Sequence, residues 1–124
     1  MASRLLCVDD DAAGLFLRKR MLEQEGYRVL IASNGKQALC LVKSTHVDAV
    51  ILDFNMPDMD GGEVAQRLRR EFPHLKIVIL TGYPDVVSPN IRGLVDGFVC
   101  KGGNTHDLLL AVRTALDGTR RQVA

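Results

Sequence analysis

Apolar residues along this chain fall into five short continuous runs, separated by longer stretches in which they recur every three or four positions. The runs cover residues 5–8, 29–32, 49–52, 77–80 and 98–100. Runs of this length are typical of strands buried on both faces, and the intervening spacing is typical of helices. Strands that alternate with helices are joined by right-handed crossovers, which produce a parallel sheet. The pattern therefore predicts an α/β fold, a doubly wound five-stranded parallel sheet covered by helices.

The first two helices are predicted from this spacing over residues 12–25 and 36–43. In the first helix Leu17, Met21 and Leu22 are expected to face the core, because residues three and four positions apart share one side of a helix. The second helix follows a cluster of polar turn residues, which commonly precede a helix start.

The later helices carry clearer start signals. Asp60 is suited to cap a third helix, and Glu63 stands three positions on, as in a capping box. Asn104 is suited to cap the last helix, predicted over residues 105–116. The stretch before the fifth apolar run is short and interrupted, and Pro89 favours the first position of a helix there. We therefore expect the fourth helix to be short or irregular.

Length and composition indicate one ordinary folded domain. The chain has 124 residues, 47% of them hydrophobic and 25% charged, with a formal net charge of +1. We expect one domain over residues 1–118, a flexible tail over 119–124 and no further domain. This charge does not suggest direct binding of nucleic acid. The apolar run near the N-terminus is too short for a signal peptide or a membrane span, so we expect a cytoplasmic protein.

Two groups of residues that often carry function have plainer interpretations here. Cys7, Cys40 and Cys100 form no CxxC pair and lie among apolar residues, so they are predicted to be small core residues. The arginines of the third helix, among them Arg69, are predicted to form a solvated face rather than a phosphate or nucleic-acid patch.

Polar residues stand where the predicted strands end. Asp9 and Asp10 follow the first strand, Asp53 ends the third, Thr81 follows the fourth and Lys101 follows the fifth. The carboxyl ends of parallel strands meet at one edge of the sheet, and ligands bind in the crevice there. We therefore expect these five side chains to converge.

This set of residues favours chemistry on a phosphoryl group. Three carboxylates at one edge repel one another, so they should bind a divalent cation or hold raised pKa values. Oxygen ligands without histidine or cysteine fit Mg²⁺ better than a softer metal, and a site with few carboxylates fits Mg²⁺ better than Ca²⁺. Mg²⁺ beside a carboxylate, a lysine and a threonine hydroxyl is suited to holding a phosphoryl group.

The phosphate is expected to come from another molecule, because neither GxxxxGKS/T nor GxGxxG occurs in the sequence. The reactive group would be an aspartate, since aspartyl phosphate is a known covalent intermediate. A plainer alternative for Asp9, Asp10 and Asp11 is that they only cap the first helix, where their charge suits the helix dipole.

Five stretches of the sequence together resemble the receiver domain of bacterial two-component response regulators, over residues 4–116. They are LLCVDDD, EGYRVLIASNGKQAL, VDAVILDFNMPDMDGGEV, IVILTGY and GFVCK. The resemblance implies the strand order 2-1-3-4-5 of the flavodoxin-like receiver fold, with five helices. It also implies a function in phosphorelay signal transduction, as a phosphoprotein switched by aspartyl phosphate.

The resemblance assigns roles to the residues at the sheet edge. Asp53 would accept the phosphoryl group, while Thr81 and Lys101 would each bind one of its oxygens. The ligands of the Mg²⁺ cofactor would be Asp9, Asp10, Asp53 and the carbonyl of Asn55. Thr81 and Phe98 would be the switch residues. Asn55 and Tyr83 match positions that influence how fast the acyl phosphate hydrolyses.

The implied partners are a sensor histidine kinase or a phosphotransfer protein as donor, docking near the first helix, and an unidentified downstream protein. The chain's own chemistry would be phosphorylation of Asp53 and slow autodephosphorylation, not metabolic catalysis. The chain could be a stand-alone receiver or a piece of a larger regulator. The alternative function is a pseudo-receiver, a phosphorylation-independent protein-binding module. An aspartyl phosphatase is less well supported, because the position of its second aspartate is Asn55.

One position departs from the family pattern. In the family that the sequence resembles, the lysine at the position of Lys101 is normally followed by proline in a cis peptide, whereas Gly102 follows Lys101 here. A cis bond without proline costs about 2.5 to 4 kcal/mol. We therefore predict a trans bond and a looser loop after Lys101.

Overall fold

The computed structural model describes residues 2–56 and 60–118. Its strands are β1 Arg4–Val8, β2 Arg28–Ala32, β3 Ala49–Asp53, β4 Lys76–Thr81 and β5 Gly97–Cys100. They form one parallel sheet in the order β2-β1-β3-β4-β5. The predicted fold class and the strand order implied by the resemblance are confirmed. The expected tail at 119–124 lies outside the described residues.

The helices alternate with the strands as predicted. They are α1 Ala12–Gln24, α2 Gly35–Ser44, α3 Gly61–Glu71, α4 Pro89–Arg92 and α5 Thr105–Asp117, with a 3-10 turn at Pro84–Val86 before α4. Side-chain oxygens cap four of these helices by accepting backbone N–H groups, and the capping residues are Asn34, Asp60, Ser88 and Asn104. The prediction of a short fourth helix is confirmed. In the described part of the chain, no helix is both long and apolar enough to cross a membrane.

Each strand contributes to a core on both faces of the sheet, because successive side chains of a strand point to opposite sides. In β3, Val50 and Leu52 join the core formed with α2, α3 and α4, whereas Ala49 and Ile51 join the core formed with α1 and α5. Helices therefore cover both faces. This double covering explains why the strand runs are continuously apolar rather than alternating.

Three residues that were predicted to lie in the core are exposed, namely Leu17, Cys40 and Cys100. Leu17 is 67% exposed, because α1 rests on the sheet through Leu15 together with Leu22, which was predicted correctly. Among the cysteines only Cys7 is buried, and there burial raises the pKa of its thiol to about 12. Cys40 is exposed because it lies on α2 away from the face that α2 buries.

Arg69 corrects the prediction of a solvated arginine face. Its guanidinium donates to the backbone oxygens of Leu94 and Leu75 at 2.9 and 2.8 Å. It also pairs with the buried carboxylate of Asp96 at 2.8 Å, and that carboxylate accepts the backbone N–H of Ile77 at 2.9 Å. Arg69 therefore ties α3 to the beginnings of β4 and β5, at the sheet edge opposite the carboxyl ends of the strands.

Candidate phosphoryl and metal site

Three carboxylates lie together at the carboxyl edge of the sheet. β1 and β3 are neighbours with Val8 opposite Leu52, so the residues that follow these strand positions emerge side by side. Asp9, Asp10 and Asp53 each place a carboxylate oxygen within 4.8 Å of the others. Asp9 and Asp53 are each only 2% exposed, while Asp10 is exposed to solvent.

Lys101 joins this cluster from the end of β5. Its backbone N–H donates to the carbonyl of Thr81 at 2.7 Å, and its ammonium lies 2.8 Å from Oδ1 of Asp53. Burial raises the pKa of the Asp53 carboxyl, Lys101 offsets part of this rise, and the neighbouring Asp9 adds to it. The net effect is a pKa above the usual aspartate value. Asp53 is thus a buried carboxylate with one cation beside it and one acid against it.

Asp9 has a second cationic partner, Arg18 of α1, which the sequence analysis did not single out. Nη2 of Arg18 pairs with Oδ2 of Asp9, and the backbone N–H of Asp11 donates to Oδ1 at 2.9 Å. Burial acts to raise the pKa of Asp9, but Asp11, Asp53 and Arg18 together hold it below the usual value. No local pattern in the sequence identifies Arg18, because the reach of its side chain depends on how α1 lies against the end of β1.

The interpretation of the aspartates as caps of α1 finds no support. Asp11 stands at the N-cap position of α1, but its side chain makes no capping hydrogen bond. Asp9 points into the cluster instead.

Thr81 is fully buried, and its hydroxyl donates to Oδ1 of Asn55 at 2.5 Å. The same Asn55 oxygen accepts the backbone N–H of Gly82 at 3.1 Å, and the Thr81 hydroxyl accepts the backbone N–H of Tyr83 at 3.0 Å. The backbone N–H of Asn55 in turn donates to Asp53 at 3.1 Å. Asn55 therefore links Asp53 to the segment that follows β4.

Phe98 lies outside the acidic cluster, on β5, with its ring half-buried. The guanidinium carbon of Arg92 stands 4.4 Å from the centre of that ring. Arg92 also donates to the carbonyls of Pro84 and Val87 at 2.7 and 3.3 Å. Arg92, another residue that the sequence analysis did not identify, thus connects the aromatic ring to the segment between β4 and α4.

The peptide bond after Lys101 is trans, as predicted, since no cis bond occurs in residues 2–56 or 60–118. Gly102 has φ +85°. Proline is held near −65°, so the backbone here adopts a conformation that proline does not reach. Glycine is the residue best suited to this position.

The donor set fits a hard divalent cation. All three clustered side chains offer carboxylate oxygens, which are the ligands that Mg²⁺ prefers. One oxygen from each of Asp9, Asp10 and Asp53 lies within 4.8 Å of the others, so a single small cation could contact all three side chains. The role of the Asn55 carbonyl as a further ligand stays a prediction.

A family model described as the response regulator receiver domain matches residues 5–113. The chain therefore belongs to the family of response regulator receiver domains. These domains belong to two-component systems, and phosphorylation on an aspartate and dependence on Mg²⁺ are typical of the family.

The chain is similar to curated response regulators from two mycobacterial organisms. It is 39% identical over 122 residues to the response regulator MprA of Mycolicibacterium vanbaalenii, covering 96% of this chain and 52% of that protein. It is 37% identical to MprA of Mycobacterium bovis, covering 100% of this chain and 55% of that protein. The chain thus spans about half the length of the curated relatives it matches.

Among solved structures, the response regulator TrrA of Thermotoga maritima in complex with Mg²⁺-BeF superimposes with a TM-score of 0.86 at 37% identity. The match covers 92% of this chain and 99% of that one. TrrA in complex with the histidine kinase ThkA matches with a TM-score of 0.84, covering 92% of this chain and 98% of that one.

Proposed function

We propose that this chain is a phosphorylation-switched signalling module that accepts a phosphoryl group on Asp53, with Mg²⁺ bound by the neighbouring carboxylates. The observation that carries the proposal is the position of Asp53. Its carboxylate ends a central strand, is nearly inaccessible, lies 2.8 Å from the Lys101 ammonium and shares a cluster with Asp9 and Asp10. A lone buried carboxylate would be costly, so this arrangement supports a functional role.

The proposed donor is a phosphohistidine on a sensor kinase or phosphotransfer protein. A carboxylate oxygen of Asp53 attacks the phosphorus, the bond between phosphorus and the imidazole nitrogen breaks, and its electron pair stays on the imidazole. An acyl phosphate on Asp53 results. Mg²⁺, when bound through Asp9, Asp10 and Asp53, supplies positive charge against the phosphoryl oxygens.

Two side chains of this chain hold the remaining phosphoryl oxygens in the proposed product. The Lys101 ammonium moves its hydrogen bond from the Asp53 carboxylate to the new group. The Thr81 hydroxyl turns from Asn55 to donate to a second oxygen. Tyr83 donates its backbone N–H to the Thr81 hydroxyl, and Arg92, further along the segment between β4 and β5, contacts the ring of Phe98. We therefore propose that the turn of the Thr81 hydroxyl starts the switch on the face formed by α4, β5 and α5.

The kinase is proposed to dock beside α1. An open groove of about 420 Å³ runs between α1 and the segment after β5, lined by Leu17, Met21 and Lys101 among others. Leu17 is 67% exposed at this groove. The structural neighbour TrrA was solved with a histidine kinase, which supports a partner of the same class here. The downstream partner and a cytoplasmic location stay predictions.

Binding of beryllium fluoride, a tetrahedral mimic of a phosphoryl group on a carboxylate, tests the proposal. We expect the wild-type chain with Mg²⁺ and beryllium fluoride to show shifted amide resonances at Asp53, Thr81 and Lys101. Asp53→Asn should abolish these shifts. Asp117→Asn removes one carboxylate at the end of α5 and should leave them unchanged. Wild-type spectra that do not respond would favour the phosphorylation-independent alternative.

A further inference from the structure

We infer that Arg18 is a built-in competitor of Mg²⁺ for the Asp9 carboxylate. The inference rests on the proposed function, because it concerns the same metal site. It starts from the ion pair between Nη2 of Arg18 and Oδ2 of Asp9. The Arg18 side chain is only 17% exposed in this pair, so it is packed over the buried acid rather than extended into solvent.

Both oxygens of Asp9 are already engaged. Oδ1 accepts the backbone N–H of Asp11 at 2.9 Å as part of the turn into α1, and Oδ2 accepts Arg18. Oδ2 is the oxygen whose partner can leave without disturbing the turn into α1, so we assign the cation to Oδ2. A Mg²⁺ ion about 2 Å from Oδ2 would lie within a few ångströms of the guanidinium, where the two positive charges repel strongly. Ion and guanidinium therefore exclude one another.

The displaced side chain has a place to go. Arg18 lines the open groove between α1 and the segment after β5, so rotation of its side chain carries the guanidinium into solvent. The exchange thus needs rotation of one side chain and no change in the sheet.

The pair also compensates the acidic cluster when the metal is absent. Lys101 serves Asp53, and Arg18 serves Asp9, so each buried carboxylate has its own cation. In this inference Mg²⁺ displaces Arg18 from Asp9, and the apparent affinity for Mg²⁺ falls by the factor that the pair between Arg18 and Asp9 contributes. Arg18 therefore sets the Mg²⁺ concentration at which the site fills.

Calorimetric titration with Mg²⁺ alone tests the inference, using the wild-type chain, Arg18→Gln and Arg20→Gln. Arg20 lies on the same helix, contacts Phe16 and carries the same charge, so its variant controls for the general loss of one positive charge. We expect Arg18→Gln to bind Mg²⁺ about tenfold more tightly than wild type, the size expected for a charge-assisted hydrogen bond to a buried acid. Arg20→Gln should stay within about twofold of wild type.

Thermal unfolding gives a second reading. Without Mg²⁺, Arg18→Gln should melt below wild type because Asp9 has lost its partner. Saturating Mg²⁺ should raise the melting temperature of the variant by more than it raises that of wild type. In the wild-type chain, the side-chain nitrogen resonance of Arg18 should shift with the same midpoint as the heat of Mg²⁺ binding, which keeps the test valid if the variant does not fold.

Three results would overturn the inference. Equal affinity of wild type and Arg18→Gln would mean that the pair does not compete. Weaker binding by Arg18→Gln would mean that Arg18 orients Asp9 for the metal. An Arg18 resonance unaffected by bound Mg²⁺ would show that the guanidinium is not displaced. If none of the three chains binds millimolar Mg²⁺, the metal site of the proposed function itself fails.

Discussion

The Thr81 hydroxyl donates a hydrogen bond to Oδ1 of Asn55, with 2.5 Å between the two oxygens. Asn55, two positions after the proposed phosphoacceptor, thus holds Thr81 at the end of β4. The same oxygen also anchors the backbone N–H of Gly82. A Thr81 hydroxyl that donates to Asn55 has no proton left to donate to a phosphoryl oxygen. Asn55 must therefore release Thr81 when the proposed switch operates.

Replacing Asn55 by alanine should loosen the segment after β4. Gly82 loses its acceptor directly, and Tyr83 loses the fixed Thr81 hydroxyl that accepts its own N–H. We expect amide hydrogen exchange at both residues to accelerate by about threefold to tenfold, the factor for one lost hydrogen bond. Asn34→Ala, which removes the cap of α2, serves as the control and should leave both rates unchanged. Unchanged exchange in Asn55→Ala would show that the amide does not hold this segment.

Replacing Gly102 by proline, the residue that normally stands at this position in the family, should destabilise the chain. Its φ of +85° is closed to proline and strained for alanine. In denaturant unfolding, Gly102→Ala should lose about 1 kcal/mol and Gly102→Pro more. Gly103→Ala is the matched control, because an added Cβ there meets only ordinary contacts with Asp107 and Cys100. A Gly102→Pro chain as stable as wild type would contradict this account of the loop.

The sequence predicted the fold and the members of the acidic cluster well, for a common physical reason. Strand residues alternate faces and strand ends share an edge, so the run AVILD predicts that Asp53 and Asp9 lie at the same edge of the sheet. That β3 is the neighbour of β1 was implied by the resemblance to the family. Helix faces were predicted less well, since α1 carries apolar residues on several sides and only contact with the sheet selects Leu15 over Leu17. Apart from Lys101, the long cationic side chains that matter here were not predicted. The reach of Arg18 and Arg69 depends on tertiary neighbours that no local pattern contains.

Arg69 should prove far more important for stability than its neighbour Arg70. Arg69→Ala leaves the buried Asp96 carboxylate without this partner and removes the hydrogen bonds that Arg69 donates to three backbone oxygens. We expect a loss of about 3 kcal/mol in the free energy of unfolding, as is usual when one member of a buried pair is removed. Arg70→Ala changes an exposed residue of the same helix and should stay within about 0.5 kcal/mol of wild type. Similar losses in the two variants would contradict the assigned role of Arg69.

Asp48 should make a contribution to stability that depends on pH. Its carboxylate accepts the backbone N–H of Arg4 at 2.7 Å and contacts the ring of His46 at 2.9 Å. Burial acts to raise the pKa of Asp48, but these contacts lower it overall. The pKa of Asp48 in the folded chain lies below its unfolded value of about 3.9. Its contribution to the free energy of unfolding is therefore complete above the unfolded pKa and is lost as the pH falls through the folded pKa.

Asp48→Asn should therefore destabilise the chain at pH 7 by about 1 kcal/mol, after allowance for solvent screening of this partly exposed group. The difference from wild type should narrow steadily as urea unfolding is repeated at lower pH, below the unfolded pKa. Asp85→Asn, at an exposed position, is the control. A difference that stays constant with pH would mean that charge on Asp48 is not what stabilises the beginning of β1.

Intact mass after incubation with a small acyl phosphate and Mg²⁺ tests the central claim most directly. We predict that the wild-type chain and Asp117→Asn gain the mass of one phosphoryl group, and that Asp53→Asn gains nothing while remaining folded. Omission of Mg²⁺ should suppress the gain in the wild-type chain. A wild-type chain that gains no mass, or an Asp53→Asn chain that gains as much as wild type, would contradict the assignment of Asp53 as the phosphoacceptor.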